Sequence, residues 1–316
     1  MAEWNRKDLL GIEELSAAEI ETILDLASSC KQIYSRQIKK LPTLRGKTVI
    51  LLFFEPSTRT RTSFEIASKW MSADLINISV AQSSVVKGES LYDTAHTIEA
   101  MGPDLVVVRH RAAGVPQALA QRLGCSVINA GDGAHEHPTQ ALLDLYTIQE
   151  RLGRIRGLNV LLVGDILHSR VARSQIYGLQ KMGASVTVLG PSTLLPKGIE
   201  SFGVKIGKSL DEELPKADVV SLLRIQKERQ QSGLFPSLDE YALLYGIGEE
   251  RLGLIRDDAL IIHPGPTNLG VEISLAATED KRSAINQQVT NGVAVRMAAL
   301  YLLLGGGGLE RHEIAL

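Results

Sequence analysis

Short apolar runs of strand length alternate with segments of helical period along this chain, and that alternation constrains the fold more than any other feature. The runs are Thr48–Phe54, Asp74–Val80, Leu105–Arg109 and Ser126–Ala130, then Asn159–Val163, Ser185–Leu189, Val219–Leu223 and Ala259–His263. Helical stretches lie between them: Ser63–Ser72, Ser90–Met101 and Val115–Leu123, and later Arg170–Met182. Strands that alternate with helices imply a parallel sheet. The expected class is α/β, with two doubly wound parallel-sheet domains and a cleft between them.

A chain of 316 residues exceeds what one hydrophobic core usually supports. Residues 1–138 read as one domain and residues 151–290 as a second. The helical run Thr139–Leu152 suits a bridge between them, and the apolar helix Asn291–Leu304 completes the first. An earlier helix is expected within Ile12–Ile38, where Ser16 and Glu19 have the order of a capping box. A net charge of −2 gives no overall basic footprint for nucleic acid, so any affinity for anions must come from local clusters. Cys30 and Cys125 are too few for a disulfide framework, which points to a reducing compartment. The start, MAEWNRKDLLG, has no apolar signal core, and no run approaches the roughly 20 residues of a membrane span. The expectation is a cytoplasmic protein with neither membrane nor nucleic acid as partner.

Ligands of open α/β sheets bind beyond the carboxyl ends of the strands, so the residues that follow each strand carry the functional signal. Ser57-Thr58-Arg59-Thr60-Arg61 follows the first. There, hydroxyl and guanidinium donors meet the positive end of a helix, a setting for phosphate or a similar oxyanion. Arg109-His110-Arg111 follows the third strand, and Gly131-Asp132-Gly133-Ala134-His135-Glu136-His137-Pro138-Thr139-Gln140 the fourth. In the second half, the strand ends lead to Gly164-Asp165 with His168-Ser169-Arg170, to Arg224 and Gln226, and to His263-Pro264-Gly265-Pro266. His137 and Gln140 share a helix face, and Pro138 suits a first helical turn.

Each group also has a plainer reading. Arg59 and Arg61 would be solvated charges at a helix start, Arg109 the end of a strand, His137 a helix cap, and Lys87 part of a surface loop over Ala81–Glu89. Three hydroxyls beside Arg59 and Arg61 favour the anion reading there. His135-x-His137 lacks the further ligands of a metal site. Gly164-Asp165 lacks the Gly-x-Gly-x-x-Gly of a dinucleotide fold.

Taken together, the segments resemble the aspartate/ornithine carbamoyltransferase family and, within it, the aspartate-specific catalytic chains. The resemblance runs over nearly the whole chain. It rests on FFEPSTRTRTSFE at 53–65, KGESLYDT at 87–94, VVRH at 107–110, NAGDG and HPTQALLDLYTI within 129–148, GDILHSRVARS at 164–174, LLRIQKER at 222–229, and HPGP with GVEI within 263–273. Arg224-x-Gln226 and the Pro-Gly-Pro loop separate the aspartate branch from the ornithine branch, whose usual cysteine beside that late turn is missing. What this implies is transfer of the carbamoyl group of carbamoyl phosphate to L-aspartate, the second step of pyrimidine synthesis, with no redox or metal cofactor. Ser57, Thr58, Arg59 and Thr60 would hold the phosphate with Arg109. His137 would touch the carbamoyl oxygen, and Gln140 with the carbonyls of Gly265 and Pro266 would hold the carbamoyl nitrogen. Arg170 and Arg224 would take the two carboxylates of aspartate, with Gln226 nearby. Ser83 and Lys87 would come from a neighbouring chain of a homotrimer. Nothing in these residues selects among a regulatory chain, dihydroorotase or neither as an associated partner. Two departures stand out: Leu269 occupies a position where many relatives carry Arg, and four glycines follow the last helix.

Overall fold

The computed structural model describes residues 4–79, 90–225 and 237–305. Expectations placed on Ser83, Lys87, Gln226 and Gly306–Gly308 fall outside them. The chain divides into two compact units, Met1–Leu143 with Val289–Leu316, and Asp144–Gln288.

In the first unit, α1 (Ala17–Lys31) precedes β1 (Thr48–Phe53), α2 (Thr58–Trp70), β2 (Asp74–Ser79), α3 (Leu91–Ala100), β3 (Leu105–His110), α4 (Val115–Ala120) and β4 (Ser126–Asp132). Then α5 (Pro138–Leu152) carries the chain past the boundary between units. The strands pair in parallel in the order β2-β1-β3-β4. Beyond β4, Leu9 makes one further parallel bridge: its N–H donates to Val127, and its carbonyl accepts from Asn129. The apolar runs form strands because both faces are covered. Ile50, Leu52, Val106 and Val108 pack with Ile98 of α3 and Leu119 of α4. Burying each such side chain contributes about 1.5–3 kcal/mol.

The second unit contains β5 (Asn159–Val163), α6 (Arg170–Lys181), β6 (Ser185–Leu189), β7 (Lys205–Ile206), α7 (Leu210–Glu213), β8 (Val219–Leu222), α8 (Leu238–Tyr245), α9 (Glu249–Leu252), β9 (Leu260–Ile262) and α10 (Leu275–Glu279). Its sheet is again parallel, in the order β7-β6-β5-β8-β9. Leu161, Val163, Val220, Leu222 and Ile261 fill its core with Leu210 and Leu214. The last helix, α11 (Ile285–Leu304), starts in this unit and runs on into the first.

Four helices differ from expectation by about a turn or more, among them α4, which closes at Ala120 instead of Leu123. The first closes at Lys31, where a short 3-10 turn takes over, so it covers only the middle of Ile12–Ile38. The second begins at Thr58 instead of Ser63, which puts Thr58–Thr62 inside the helix. Its first turn is Thr and Arg, with no apolar period to reveal it. The last begins at Ile285 instead of Asn291, because the polar residues of its first turn include the buried Gln288.

Candidate active site

The helix starts of this protein differ in capping and in the charge of the first turn. Four helices, α1, α3, α7 and α8, have a serine N-cap whose side chain accepts a backbone N–H, and acidic residues in the first turn. That is the arrangement the helix dipole favours. By contrast, α2 begins Thr58-Arg59-Thr60-Arg61 and α6 begins with Arg170, neither with an acid in its first turn. Cations at the positive end of a helix oppose the dipole. Ser57 sits at the N-cap of α2 without making the capping bond. The α2 start forgoes its capping bond, whereas α6 keeps one, with Ser169 Oγ accepting the Ala172 N–H at 3.1 Å.

In the first unit, Ser57 is half-buried, Thr58 and Arg59 are exposed, and Thr60 is buried. Thr60 Oγ1 lies 3.5 Å from Nε2 of His137, which is buried just before Pro138 opens α5. The His137 carbonyl accepts from the N–H groups of Gln140 and Ala141 and starts that helix. Gln140 follows on the same first turn and is 8% exposed. Arg109, near the end of β3, is oriented from two sides. Its Nη1 donates to the Ala130 carbonyl at 3.1 Å, and its Nε stands 3.5 Å from Glu55 Oε2. Burial holds the neighbouring His110 imidazole below its ordinary pKa, and its Nδ1 accepts the Ala112 N–H.

The loop that delivers His137 is built around the buried Asp132. Its carboxylate accepts from the Gly114 N–H at 2.7 Å, from Asn129 Nδ2 at 2.8 Å and from the Glu136 N–H at 3.2 Å. His135 Nδ1 lies 3.1 Å away, so His135 serves the loop. Gly133 has φ +46°, and a Cβ there would come within 2.8 Å of the Ala113 nitrogen, so only glycine suits the turn. One turn along the same buried face of α2 from Thr60, Ser63 Oγ accepts from Arg296 of α11 at 2.8 Å, and that guanidinium lies over the Phe64 ring.

In the second unit, β5 leads through Gly164 to the buried Asp165, which accepts from the His168 N–H at 3.1 Å. His168 Nδ1 stands 2.9 Å from the same carboxylate. Arg170 follows at the first position of α6, 4% exposed. Arg224 lies two residues beyond β8 and is half-buried. Burial, with Glu272 and Asp165 nearby, pushes the Tyr241 phenol far up, so it stays protonated. After β9 comes His263-Pro264-Gly265-Pro266. Both prolines lack an N–H. The His263 N–H donates to Gln288 Oε1 at 2.9 Å, and the Gly265 N–H donates to His263 Nδ1 at 2.8 Å. The loop's donors are thereby consumed, and carbonyl oxygens are what it offers a ligand. Leu269 is 55% exposed.

The sequence reading passed over Asp144, Gln175, Gln288 and Arg296. Each is a buried polar residue inside a helix, and a polar residue where helical period calls for an apolar one is the only local trace such a residue leaves.

Models of the two domains of one family match almost the whole chain. The aspartate/ornithine carbamoyltransferase carbamoyl-P binding domain covers residues 7–150, and the Asp/Orn binding domain covers residues 156–303. The chain belongs to the aspartate/ornithine carbamoyltransferase family. It is 61% identical over 301 residues to the aspartate carbamoyltransferase catalytic subunit of Moorella thermoacetica, covering 95% of this chain and 98% of that one. The catalytic subunit of Halothermothrix orenii is 60% identical over 300 residues, with 95% and 96% covered. Among solved structures, aspartate transcarbamoylase from Trypanosoma cruzi in complex with carbamoyl phosphate and aspartate superposes with a TM-score of 0.86 at 32% identity, over 95% of this chain and 98% of that one. The same enzyme in complex with N-(phosphonacetyl)-L-aspartic acid gives 0.84 at 32% identity, over 95% and 97%.

Proposed function

We infer that this protein is an aspartate carbamoyltransferase catalytic chain, which transfers the carbamoyl group of carbamoyl phosphate to the amine of L-aspartate in pyrimidine biosynthesis. The products are N-carbamoyl-L-aspartate and phosphate. The observation that carries the reading is the pair of arginine-bearing helix starts, α2 in one unit and α6 in the other. They suit one phosphate and one dicarboxylate.

The amine nitrogen forms a bond to the carbamoyl carbon, and the bond from that carbon to the phosphate oxygen breaks. Negative charge builds first on the carbonyl oxygen and then on the departing phosphate. Ser57, Thr58, Arg59, Thr60 and Arg109 take the phosphate. His137, within reach of Thr60, takes the carbonyl oxygen. Preorganised donors at those atoms lower the barrier. Gln140 and the carbonyls of Gly265 and Pro266 hold the carbamoyl nitrogen, a donor group facing a loop that offers acceptors. Arg170 and Arg224 bind the carboxylates of aspartate, with Gln226 beside them, and the departing phosphate accepts the amine proton. Much of the acceleration comes from holding two small substrates in line.

Ser83 and Lys87 reach the site from a neighbouring chain of a homotrimer, which works in the cytoplasm. A regulatory chain or dihydroorotase is a further candidate partner, tested by sizing the protein with each. The reaction is tested by incubating the protein with carbamoyl phosphate and either L-aspartate or L-ornithine. Formation of carbamoyl aspartate with a strong preference over ornithine is expected. Preference for ornithine overturns the role of Arg224, and no product from either amine overturns the reading.

A further inference from the structure

In the second unit, a buried hydrogen-bond network converges on a single carboxylate. Asp144, on α5, is 1% exposed. Its Oδ1 accepts from Gln288 Nε2 at 2.6 Å, and its Oδ2 accepts from Gln175 Nε2 at 2.7 Å. The orientation of the Gln288 amide is not arbitrary. A backbone N–H can only donate, so the atom facing the His263 N–H at 2.9 Å is the oxygen, and the NH2 faces Asp144. Gln175 turns its NH2 to the same acceptor-only carboxylate, which leaves its Oε1 to accept from Ser221 Oγ at 3.1 Å. Gln175, Gln288 and Ser221 are each no more than 3% exposed. A buried carboxylate is costly unless fully hydrogen-bonded, and apolar side chains would fill this space at less cost.

The three segments it reaches are the ones that carry the second unit's candidate site. Gln175 belongs to α6, which opens with Arg170. Ser221 is in β8, three residues before Arg224. The His263 N–H is the first donor beyond β9, at the base of the Pro264-Gly265-Pro266 turn. We propose that Asp144, Gln175 and Gln288 are positioning residues: a carboxylate–amide relay that locks the His263–Pro266 loop and the ends of α6 and β8 in register for carbamoyl transfer. The proposal rests on the reading that this loop's carbonyls hold the carbamoyl nitrogen.

The relay's polarity supplies its test. In Asp144→Asn, the new amide can keep its oxygen to Gln288 and turn its NH2 to Gln175, which turns over and donates to Ser221 Oγ, a hydroxyl able to accept. This variant alone is therefore expected to be mild and serves as the partner for rescue. In Gln288→Glu, two carboxylates face each other. In the double variant, the amide introduced at position 144 donates to the carboxylate introduced at position 288 and still accepts from Gln175. That carboxylate keeps a second oxygen to accept the His263 N–H. All bonds return with one of them reversed, and the charge is conserved. Gln288→Glu is expected to lower kcat roughly tenfold to a hundredfold, the scale of a displacement of about 1 Å. In Gln288→Glu the KM for aspartate should stay within about twofold, because the bonds from Asp144 through Gln175 to Ser221 are kept, and amide-exchange protection of His263 and Gly265 should fall. The double variant should recover kcat to within about threefold of wild type, a strong non-additivity. Should Gln288→Glu not fold, Gln288→Met removes the same bonds without adding a charge.

A Gln288→Glu variant that keeps wild-type kcat, or a double variant no better than Gln288→Glu, overturns the proposal. So does a series in which exchange protection falls and recovers while kcat never moves, because the relay is then structural only. Absence of carbamoyl aspartate from the unmodified protein is instead the failure of the reaction assignment, and the exchange series still decides whether the relay holds the loop.

Discussion

Exposure makes Arg59 a residue at which a role in catalysis and a role in folding can be told apart. Arg59 is exposed on the first turn of α2, so Arg59→Ala removes little packing, and surface changes of that kind usually stay within about 0.5 kcal/mol. If its guanidinium meets the leaving phosphate, the same change lowers kcat by about a hundredfold or more, the scale of losing one preorganised donor. Matched thermal unfolding and steady-state rates check this, and unchanged turnover removes Arg59 from the chemistry. Arg224→Ala should act on the other substrate. The KM for aspartate is expected to rise about tenfold or more, while a carbamoyl phosphate analogue still binds, since one charge-assisted bidentate contact is lost. Calorimetry with a phosphonate analogue separates the two effects, and loss of analogue binding in a folded variant counts against the assignment. Both arginines stood out in the sequence because each sits just past an apolar run. Asp144 did not, since its partners Gln175 and Gln288 are 31 and 144 positions away, and nothing local marks a residue whose role is to receive two distant amides.

At the scale of elements, the same serine position serves two purposes. Ser16 accepts the Glu19 N–H, and Glu19 accepts back from the Ser16 N–H, a complete capping box on α1. Ser16→Ala should cost about 1 kcal/mol with activity intact. Ser57 makes no capping bond on α2, so Ser57→Ala should cost about 0.5 kcal/mol or less and yet raise the KM for carbamoyl phosphate. Chemical denaturation beside kinetics decides, and a stability loss at Ser57 equal to that at Ser16 makes it an ordinary cap. The α1 box also predicts a response to acid. The side-chain hydrogen bond from Arg6 leads the interactions that draw the Glu19 carboxyl down from 4.5 to about 2. A folded-state pKa below the unfolded one stabilises the fold above the unfolded value, and that gain is lost as pH falls through the folded one. Arg6→Ala should therefore weaken the protein near neutral pH, with the difference closing between about pH 4.5 and 2. Solvent screening keeps the effect to about 1 kcal/mol. These starts also mark what the sequence could reveal of the elements. Ser16 and Glu19 announced α1, whereas the Thr and Arg turn of α2, which has neither a capping bond nor a first-turn acid, hid its true start. The two-residue β7 and the four-residue α7 and α9 are too short to show a period.

For the whole molecule, the decisive question is whether a site draws residues from two chains. The alternation of strands and helices made both parallel sheets legible, because each buried run reads as a strand by itself. Assembly leaves no such mark: Lys87 looks like any loop lysine, and only the family resemblance assigns it to a neighbour. In a closed homotrimer with shared sites, each site needs Arg59 from its own chain and Lys87 from the next. Arg59→Ala disables the site of the chain that carries it, and Lys87→Ala disables the site next door, so each pure variant should be nearly inactive. Dissociating the two variants, mixing them equally and letting them reassemble changes the outcome. Half of the chains then keep Arg59, and half of their neighbours keep Lys87. The mixture should regain about one quarter of wild-type activity, provided assembly is random and closed. Activity that stays at the level of the separate variants would mean that each chain builds its site alone.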